Sequence, residues 1–554
     1  MKRNPENENI KGELYKLKRL LKRTIRKNKL LYKEKIIQDM NISRKRGKEF
    51  WKMLRKLEQK GNDEIFKQNV SDDKWMSHFK SIMQSSTSSN ITGGLPTNTT
   101  NEGLLDYEIS DEELDDASGV LKNGKKCSID LISYEILKCI RDFSPKLLLK
   151  VLNFVLQNNA TAYEWFISII APIHKKGPKM DPDNYRGISL ISCLYKLLTA
   201  ILNKRIAAYC LENNILSRAQ LGFVMGNRCS DGHFILHNAI KDYCHHNGKW
   251  LYSCFVDFSK AFDCIPRDIL FERLKSKGIT GKVFNLIKKI YTNEKCRIKM
   301  GNVLSDIFDA NQGVRQGCIL SPILFNIFIS DLPEILNSQK NNPAKVGSNE
   351  ILSCILWADD LVMLSESKEG LTEMLNDLSD FSSKNGLKIN ADKTKCMVFN
   401  KTGRHIRCNI KVDNMTITSV REYKYLGFLV TPSGEVSTGI SDLKSRALYA
   451  LVQLRKKLGV SFRENIRISF YLFDTLIKPI ILYCSDFWGP LCIDKKAPSE
   501  MLPKRNVIDL VHMKFLKQLL GVQTQTSNVG VLLETGRVPL PPTLLRIALK
   551  IGLE

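Results

Sequence analysis

The apolar positions change rhythm along the chain. Between Leu17 and Tyr32, Leu, Ile and Tyr recur among Lys and Arg at near-helical spacing, which predicts a helix. Ser110 followed by Asp-Glu-Glu-Leu-Asp-Asp predicts a helix start, with a side-chain cap and carboxylates in the first turn. Lys249 to Asp257 alternates, with aromatic and branched residues, and predicts a strand ending on a carboxylate. A helical pattern from Ala261 to Lys277 stops at Gly278. Ile351 to Trp357 reads as another strand and Leu361 to Leu364 resumes it, so Ala358-Asp359-Asp360 sits at a hairpin tip. Short strands alternate with helices to about Val430, and from Ile440 the pattern is mostly helical. No internal repeat is visible.

Composition narrows the class. The chain has 554 residues, room for several cores, and 43% hydrophobic with 26% charged residues excludes a largely disordered protein. No uninterrupted apolar run reaches the roughly 18 residues of a membrane span, and the N-terminus lacks a signal-peptide core. The 15 cysteines are scattered and never paired as Cys-x-x-Cys, which predicts reduced thiols rather than disulfides or a zinc finger. His233, His237 and the Cys244-His245-His246 run lack further ligands in register for zinc. Gly119 to Lys126 nearly spells a phosphate-binding loop but lacks its Ser or Thr, and a helix precedes it.

Charge adds a direction. A net charge of +26 favours a polyanionic partner. Residues 1–60 hold 21 Lys and Arg against 7 Asp and Glu, a net +14. A solvated helix face, a nucleic-acid-binding helix and a membrane-surface helix all accommodate that pattern.

The chemistry lies between residues 250 and 430. Carboxylates at strand ends are costly unless a cation neutralises them, and a hard divalent ion with oxygen ligands does so. Two strands delivering Asp257 and Asp359 to one point suit two metal ions about 3.5–4 Å apart, which activate a hydroxyl and stabilise a leaving pyrophosphate. Taken alone, Asp359-Asp360 is also an ordinary turn pair.

A set of motifs changes that balance. Phe255-Val-Asp257-Phe-Ser-Lys-Ala-Phe262-Asp263 resembles polymerase motif A, and Gln312-Gly-Val-Arg-Gln316-Gly317-Cys-Ile-Leu-Ser321-Pro322-Ile-Leu-Phe-Asn326 resembles motif B. Trp357-Ala-Asp359-Asp360 resembles motif C, Gly386 to Lys395 motif D, and Tyr423-Lys-Tyr425-Leu426-Gly427 motif E. Upstream, His174 to Gly177, Asp183 to Leu190 and Gln220-Leu-Gly222-Phe223 resemble fingers segments; downstream, Ile480 to Gly489 resembles the thumb region. In this order and spacing the chain resembles the reverse transcriptases of non-LTR (LINE-type) retrotransposons over most of its length.

The basic, helix-patterned start reads as an extension over residues 1–84, the Ser-, Thr-, Asn- and Gly-rich stretch from Ser85 to Glu102 as a flexible linker running to 109, and 110–153 as a helical pre-fingers region; the resemblance implies an α+β polymerase right hand. Fingers and palm would occupy 154–432, and a helical thumb, expected to be cut short, 433–554. It implies RNA-directed DNA synthesis with an RNA template, a DNA primer or target, deoxynucleoside triphosphates and two Mg2+ ions, Mn2+ being the alternative. Asp257 and Asp359 would be metal ligands, with Asp360 beside them. Lys175 or Lys176, and Arg186, would grip the triphosphate, and Lys393 would donate a proton to pyrophosphate. Phe262 would be the steric gate against a ribose 2′-hydroxyl, Gln316 and Gly317 would line the nucleotide, and Tyr425, Leu426 and Gly427 would seat the primer end.

The chain departs from the family pattern at Trp357, where Phe or Tyr is usual, at Val224-Met225, where a basic residue follows the Phe, and at Lys125 to Asp130. The competing readings are a catalytically inactive, nucleic-acid-binding transposon remnant and a maturase-like protein, for which no maturase domain is visible. The expected setting is an intracellular ribonucleoprotein, nuclear or cytoplasmic, with no membrane and no clear protein partner.

Overall fold

The computed structural model describes residues 5–43, 49–53, 70–84, 103–125, 128–301, 303–347, 350–413, 415–459, 461–492 and 507–540. The chain divides into two compact units, residues 67–434 and residues 1–66 with 435–554. Helices and sheets are both present.

The central unit is built on a six-stranded sheet. Its strands run in the order Ile410–Val412, Met415–Ser419, Lys395–Phe399, Leu251–Val256, Asp360–Ser365 and Cys354–Trp357. Both faces of its central strands are covered, so Leu251–Val256 and Asp360–Ser365 are buried at nearly every position. Cys254, Val256, Leu361, Met363, Cys396 and Val398 face one core; Leu251, Phe255, Val362, Leu364, Met397 and Phe399 face the other. That period of two lets successive side chains serve opposite layers. The helix Lys368–Lys384 supplies Leu371, Met374, Leu375 and Leu378 to the first core, and Cys229–Ile240 supplies Leu236, Ala239 and Ile240 to the second.

A second sheet joins the hairpin Ile167–His174 and Tyr185–Leu190 to Lys295–Met300 and two short strands. Between the sheets lies a buried ionic triad. Glu294 accepts from Arg267 and from Arg315 (2.8 Å), with Ser168 Oγ donating at 2.9 Å. Arg267 also donates to the carbonyls of Tyr291, Ala310, Gln312 and Gly313, and Arg315 to those of Trp165 and Phe166. Burial opposes the Arg315 charge, but the Glu294 carboxylate beside it holds the guanidinium above its usual range.

Several expectations on element boundaries are corrected. The helix expected from Ala261 begins at Arg267. Lys260 is left-handed (φ 52°), and Pro266 disfavours helical geometry at Ile265 before it. The linker expected at 85–109 ends by Gly103 among the described residues: Leu105, Asp106 and Ile109 are buried. Asp106 accepts from Gly103 N (2.6 Å), Lys282 N (2.7 Å) and Val283 N (2.9 Å), so it caps the helix Gly281–Thr292, whose own Thr280 makes no side-chain cap. Residues 85–102 lie outside the described set. Ser110 and Glu113 form a full capping box, and Glu113 is clamped by Arg205.

The helix Asp72–Met83, grouped by charge with the basic extension, packs instead within the central unit. Trp75, Met76, Phe79 and Met83 lie against a core of Ile170, Cys296, Ile298 and Phe308. Gly187 is a close approach there: a Cβ would stand 2.6 Å from the Phe79 ring.

The other unit is helical. Pro5–Ser43 buries Ile36, Ile37 and Met40 at its C-terminal end, and Phe50 meets the Tyr471 ring edge-on at 4.7 Å. Further back on this helix, Leu17, Lys18, Arg19, Leu20, Leu21, Lys22 and Arg23 are exposed. Among the described residues no single helix is long and apolar enough to cross a membrane.

The triad yields a prediction. Glu294→Gln leaves two buried guanidinium groups without a counter-ion and should cost about 3–5 kcal/mol. The urea midpoint of the central unit checks it; a midpoint within error of the parent's would show that the triad does not hold this layer.

Candidate active site

The carboxylates meet because two strands end together. Leu361 pairs with Val256 in an antiparallel ladder, so the next step brings Asp360 opposite Asp257. Asp359 stands at the turn itself, between Trp357 and Asp360, which pair with each other. Ala358 takes a left-handed φ of 57° to make that turn tight. All three carboxylates line one cleft of about 860 Å³. Burial raises the Asp359 carboxyl, and the Asp257 charge adds to it. Asp360 is pushed up to about 6 by desolvation, then by Asp359 and Asp257.

A loop zips onto the same edge. Asn390 N donates to Asp257 O (2.8 Å), Ser259 N to Lys388 O (2.8 Å) and Asp257 N to Thr394 Oγ1 (3.3 Å). This places the Lys393 ammonium 2.9 Å from Asp257 Oδ2. Lys393, expected near pyrophosphate, pairs here with the Asp257 carboxylate.

Among the described residues, no three His, Cys, Asp or Glu side chains are gathered as ready-made metal ligands. The donor set still suits a hard divalent cation. Its oxygens belong to carboxylates that repel one another, and the Lys393 ammonium is already drawn to Asp257.

The fingers hairpin brings Lys175 and Arg186 to the cleft; Lys176 is not part of its lining. Burial and the neighbouring Arg186 lower the Lys175 ammonium below its usual range. Across the opening, Lys260 pairs with Asp183 at 2.9 Å. Helix Asp72–Met83 contributes His78, Phe79, Ile82 and Met83 to the lining.

Phe262, Gln316 and Gly317 also line the cleft. Gln316 O accepts from Ser189 N at 2.7 Å, and Gly317 has φ 109°, with room for no Cβ beyond 3.0 Å from Ser189 O. Tyr425, Leu426 and Gly427 do not line it. They form the turn of the hairpin Tyr423–Tyr425 and Phe428–Val430, where Leu426 and Gly427 both have positive φ. Tyr423 stacks on Phe255 at 4.3 Å, so this hairpin supports the strand that carries Asp257.

Three residues important to the site, Asp263, Gln220 and Gly222, were not given roles from sequence. Asp263 accepts from Gln316 Nε2 with both oxygens (2.9 and 3.0 Å), and its carboxyl is pushed up to about 6 by burial, against the pull of Lys260 and Lys175. Gln220 Oε1 accepts from Gly222 N (2.9 Å) and Ala358 N (3.1 Å), which fixes the turn bearing Asp359. Gly222 packs so closely that a Cβ would stand 2.3 Å from Ala358 N. The block Gln220 to Phe223 carried a signal, its family resemblance, but not this purpose. The histidines are structural: His237 and His245 reach the carbonyls of Gly434 and Ser433.

The cleft thus carries strand-end carboxylates, the cations Lys175 and Arg186 and the aromatic ring of Phe262. Residues 173–430 match the family described as reverse transcriptase (RNA-dependent DNA polymerase). That stretch is similar to reverse transcriptase domains, and the relatives it matches are named as RNA-directed DNA polymerases of a transposon and a mobile element. It is 26% identical over 392 residues to the probable RNA-directed DNA polymerase from transposon BS of Drosophila melanogaster, covering 68% of this chain and 42% of that one. It is 30% identical over 313 residues to the Pol polyprotein of the type-2 element R2DM of the same organism, covering 54% of this chain and 28% of that one. Among solved structures, apo telomerase from Candida tropicalis aligns at 12% identity over 86% of this chain and 91% of that one, with a TM-score of 0.37. The chain spans less than half the length of the curated relatives it matches.

The Lys393 pair sets an expectation. Lys393→Met removes a cation that competes for Asp257, so divalent-ion affinity should rise by up to roughly fivefold, the scale of an exposed ion pair. Calorimetric Mn2+ titration of the nucleotide-free protein checks this, and weaker binding in the variant would contradict it.

Proposed function

We propose that this chain is an active RNA-directed DNA polymerase that adds deoxynucleotides to a primer 3′-hydroxyl on an RNA template. The observation that carries the reading is the convergence of Asp257, Asp359 and Asp360 on one cleft with Lys175 and Arg186. A remnant free of selection for chemistry has no reason to keep mutually repelling carboxylates there. Asp257 and Asp359 would hold two divalent ions, Mg2+ in our reading, with Asp360 adding charge. Such ions supply an activated hydroxyl and charge neutralisation at pyrophosphate.

The chain's own groups do the rest. Lys175 and Arg186 bind and orient the triphosphate, Arg186 through a rigid fork and Lys175 as a point charge. A bound anion would offset the burial and the Arg186 charge that lower the Lys175 ammonium. Lys393 moves from Asp257 toward the phosphates as cations arrive, and there it holds the proton for the departing pyrophosphate. Phe262 excludes a ribose 2′-hydroxyl by its ring. Tyr425, Leu426 and Gly427 seat the primer end from below the strand of Asp257.

Primer extension on an RNA template by the purified full chain tests this. Asp359→Ala should abolish extension and leave the unfolding midpoint close to the parent's, since that carboxylate supplies charge rather than packing. Near-parental activity in the variant would refute the assignment.

We further propose that the exposed basic face near Leu17 to Arg23 supplies sequence-independent affinity for RNA, in an intracellular ribonucleoprotein. Each phosphate contact contributes about −0.7 to the slope of log K against log salt on single strands. Removing residues 1–60 should flatten that slope by roughly 3 if about five contacts are made. RNA binding at several salt concentrations measures it; an unchanged slope would leave the basic face as solvated surface only.

A further inference from the structure

We propose that Phe325 is the positioning residue for sugar selection: it holds the Phe262 ring at the angle from which that ring meets the nucleotide. The inference rests on the reading of Phe262 as the sugar gate and adds the part of the fold that sets the gate.

The geometry is direct. The Phe262 and Phe325 rings are stacked, with centroids 4.5 Å apart and planes 19° from parallel. Phe325 is wholly buried on the helix Ser321–Phe328, while Phe262 is half-buried and lines the cleft. The gate's backbone is held independently. Phe262 O accepts from Val314 N at 2.8 Å, and Asp263 N donates to Lys260 O at 2.9 Å. With the backbone fixed at these points, the ring retains only its side-chain torsions, and Phe325 is the flat surface against which they settle. An offset aromatic stack prefers one face-to-face orientation, whereas an aliphatic neighbour of similar size accepts many.

A gate works by excluding one oxygen atom, so a small tilt is enough to admit it. The selecting surface is therefore a pair of rings, one touching the sugar and one fixing the first. Phe325 does not line the cleft itself. Its neighbours Ser321 and Pro322 do, and Asn326 Nδ2 donates to Gly222 O at 2.8 Å, beneath the turn of Asp359. The same short helix thus references the gate to the carboxylates.

The test is single-nucleotide extension by the full chain, comparing kcat/KM for a deoxynucleotide and its matching ribonucleotide. The proteins are the parent, Phe262→Ala, Phe325→Leu and the double variant, with Phe325→Met as a second, volume-matched change should the leucine variant fold poorly. Phe325→Leu or Phe325→Met should lower the deoxy-to-ribo ratio by roughly two- to tenfold, the worth of an aromatic pair, chiefly through KM for the ribonucleotide. In the Phe262→Ala background the same change should leave the ratio unaltered, because the ring it positions is gone. A merely structural role would lower activity on both sugars equally. If Phe262→Ala relaxes selection but neither Phe325 variant does, the proposal fails while the gate stands. If Phe325→Leu shifts the ratio equally in both backgrounds, it acts by another route and the proposal also fails. An unchanged ratio in Phe262→Ala overturns the gate itself and this inference with it.

Discussion

One buried carboxylate organises the active layer. Glu294 lies between Arg267 and Arg315, and those two guanidinium groups spend their remaining donors on main-chain carbonyls of Trp165, Phe166, Tyr291, Ala310, Gln312 and Gly313. Two cations and one anion would be costly to bury without these carbonyls. With them, the triad pins the segment from Ala310 to Arg315, and the neighbours of that segment inherit its position. Val314 N holds Phe262 O, Gln316 O accepts from Ser189 N, and Gln316 Nε2 occupies Asp263. The strand Tyr185–Leu190, Phe262 and the loop of Gln316 therefore share one electrostatic anchor.

The cleft is arranged so that charges await partners. Asp359 and Asp360 are held above the usual carboxylate range, and Lys175 below the usual amine range. Each shift records an unfavourable charge that a bound cation or a bound phosphate would relieve. Internal pairs already offset part of this charge, Lys393 with Asp257 and Lys260 with Asp183. Binding then exchanges protein pairs for ligand pairs rather than creating attraction from nothing.

Much of this was legible in the sequence, and the reason is local. The strand ending at Asp257 and the hairpin tip at Asp359 follow from alternation that any short window reveals, and the Ser110 cap from four adjacent residues. What escaped depends on distance. Asp106 caps a helix that starts at Gly281, Gln220 fixes a turn at Ala358, and Phe325 backs a ring at Phe262. No periodicity or spacing announces such partners. The helix expected from Ala261 failed for a different reason, because a left-handed Lys260 and Pro266 overrode favourable composition. Helix Asp72–Met83 was grouped with its basic neighbours because charge counts ignore the apolar face of Trp75, Phe79 and Met83.

That helix has a consequence for how the chain acquires its shape during synthesis. Its last turn receives Asn311 N and Gln312 N on Met83 O, and Ile82 O accepts from Gln312 Nε2, a partner 230 residues further along. On the ribosome the helix emerges long before the loop that completes it. It must wait, with its aromatic face uncovered, while the fingers hairpin, the Asp257 strand and the Glu294 layer are made. Contacts of such high sequence separation fold slowly and leave apolar surface open to misassociation. The stretch that matches the polymerase family, residues 173–430, is therefore shorter than the stretch that folds as one body, and the catalytic layer closes only when an early segment docks onto a late one.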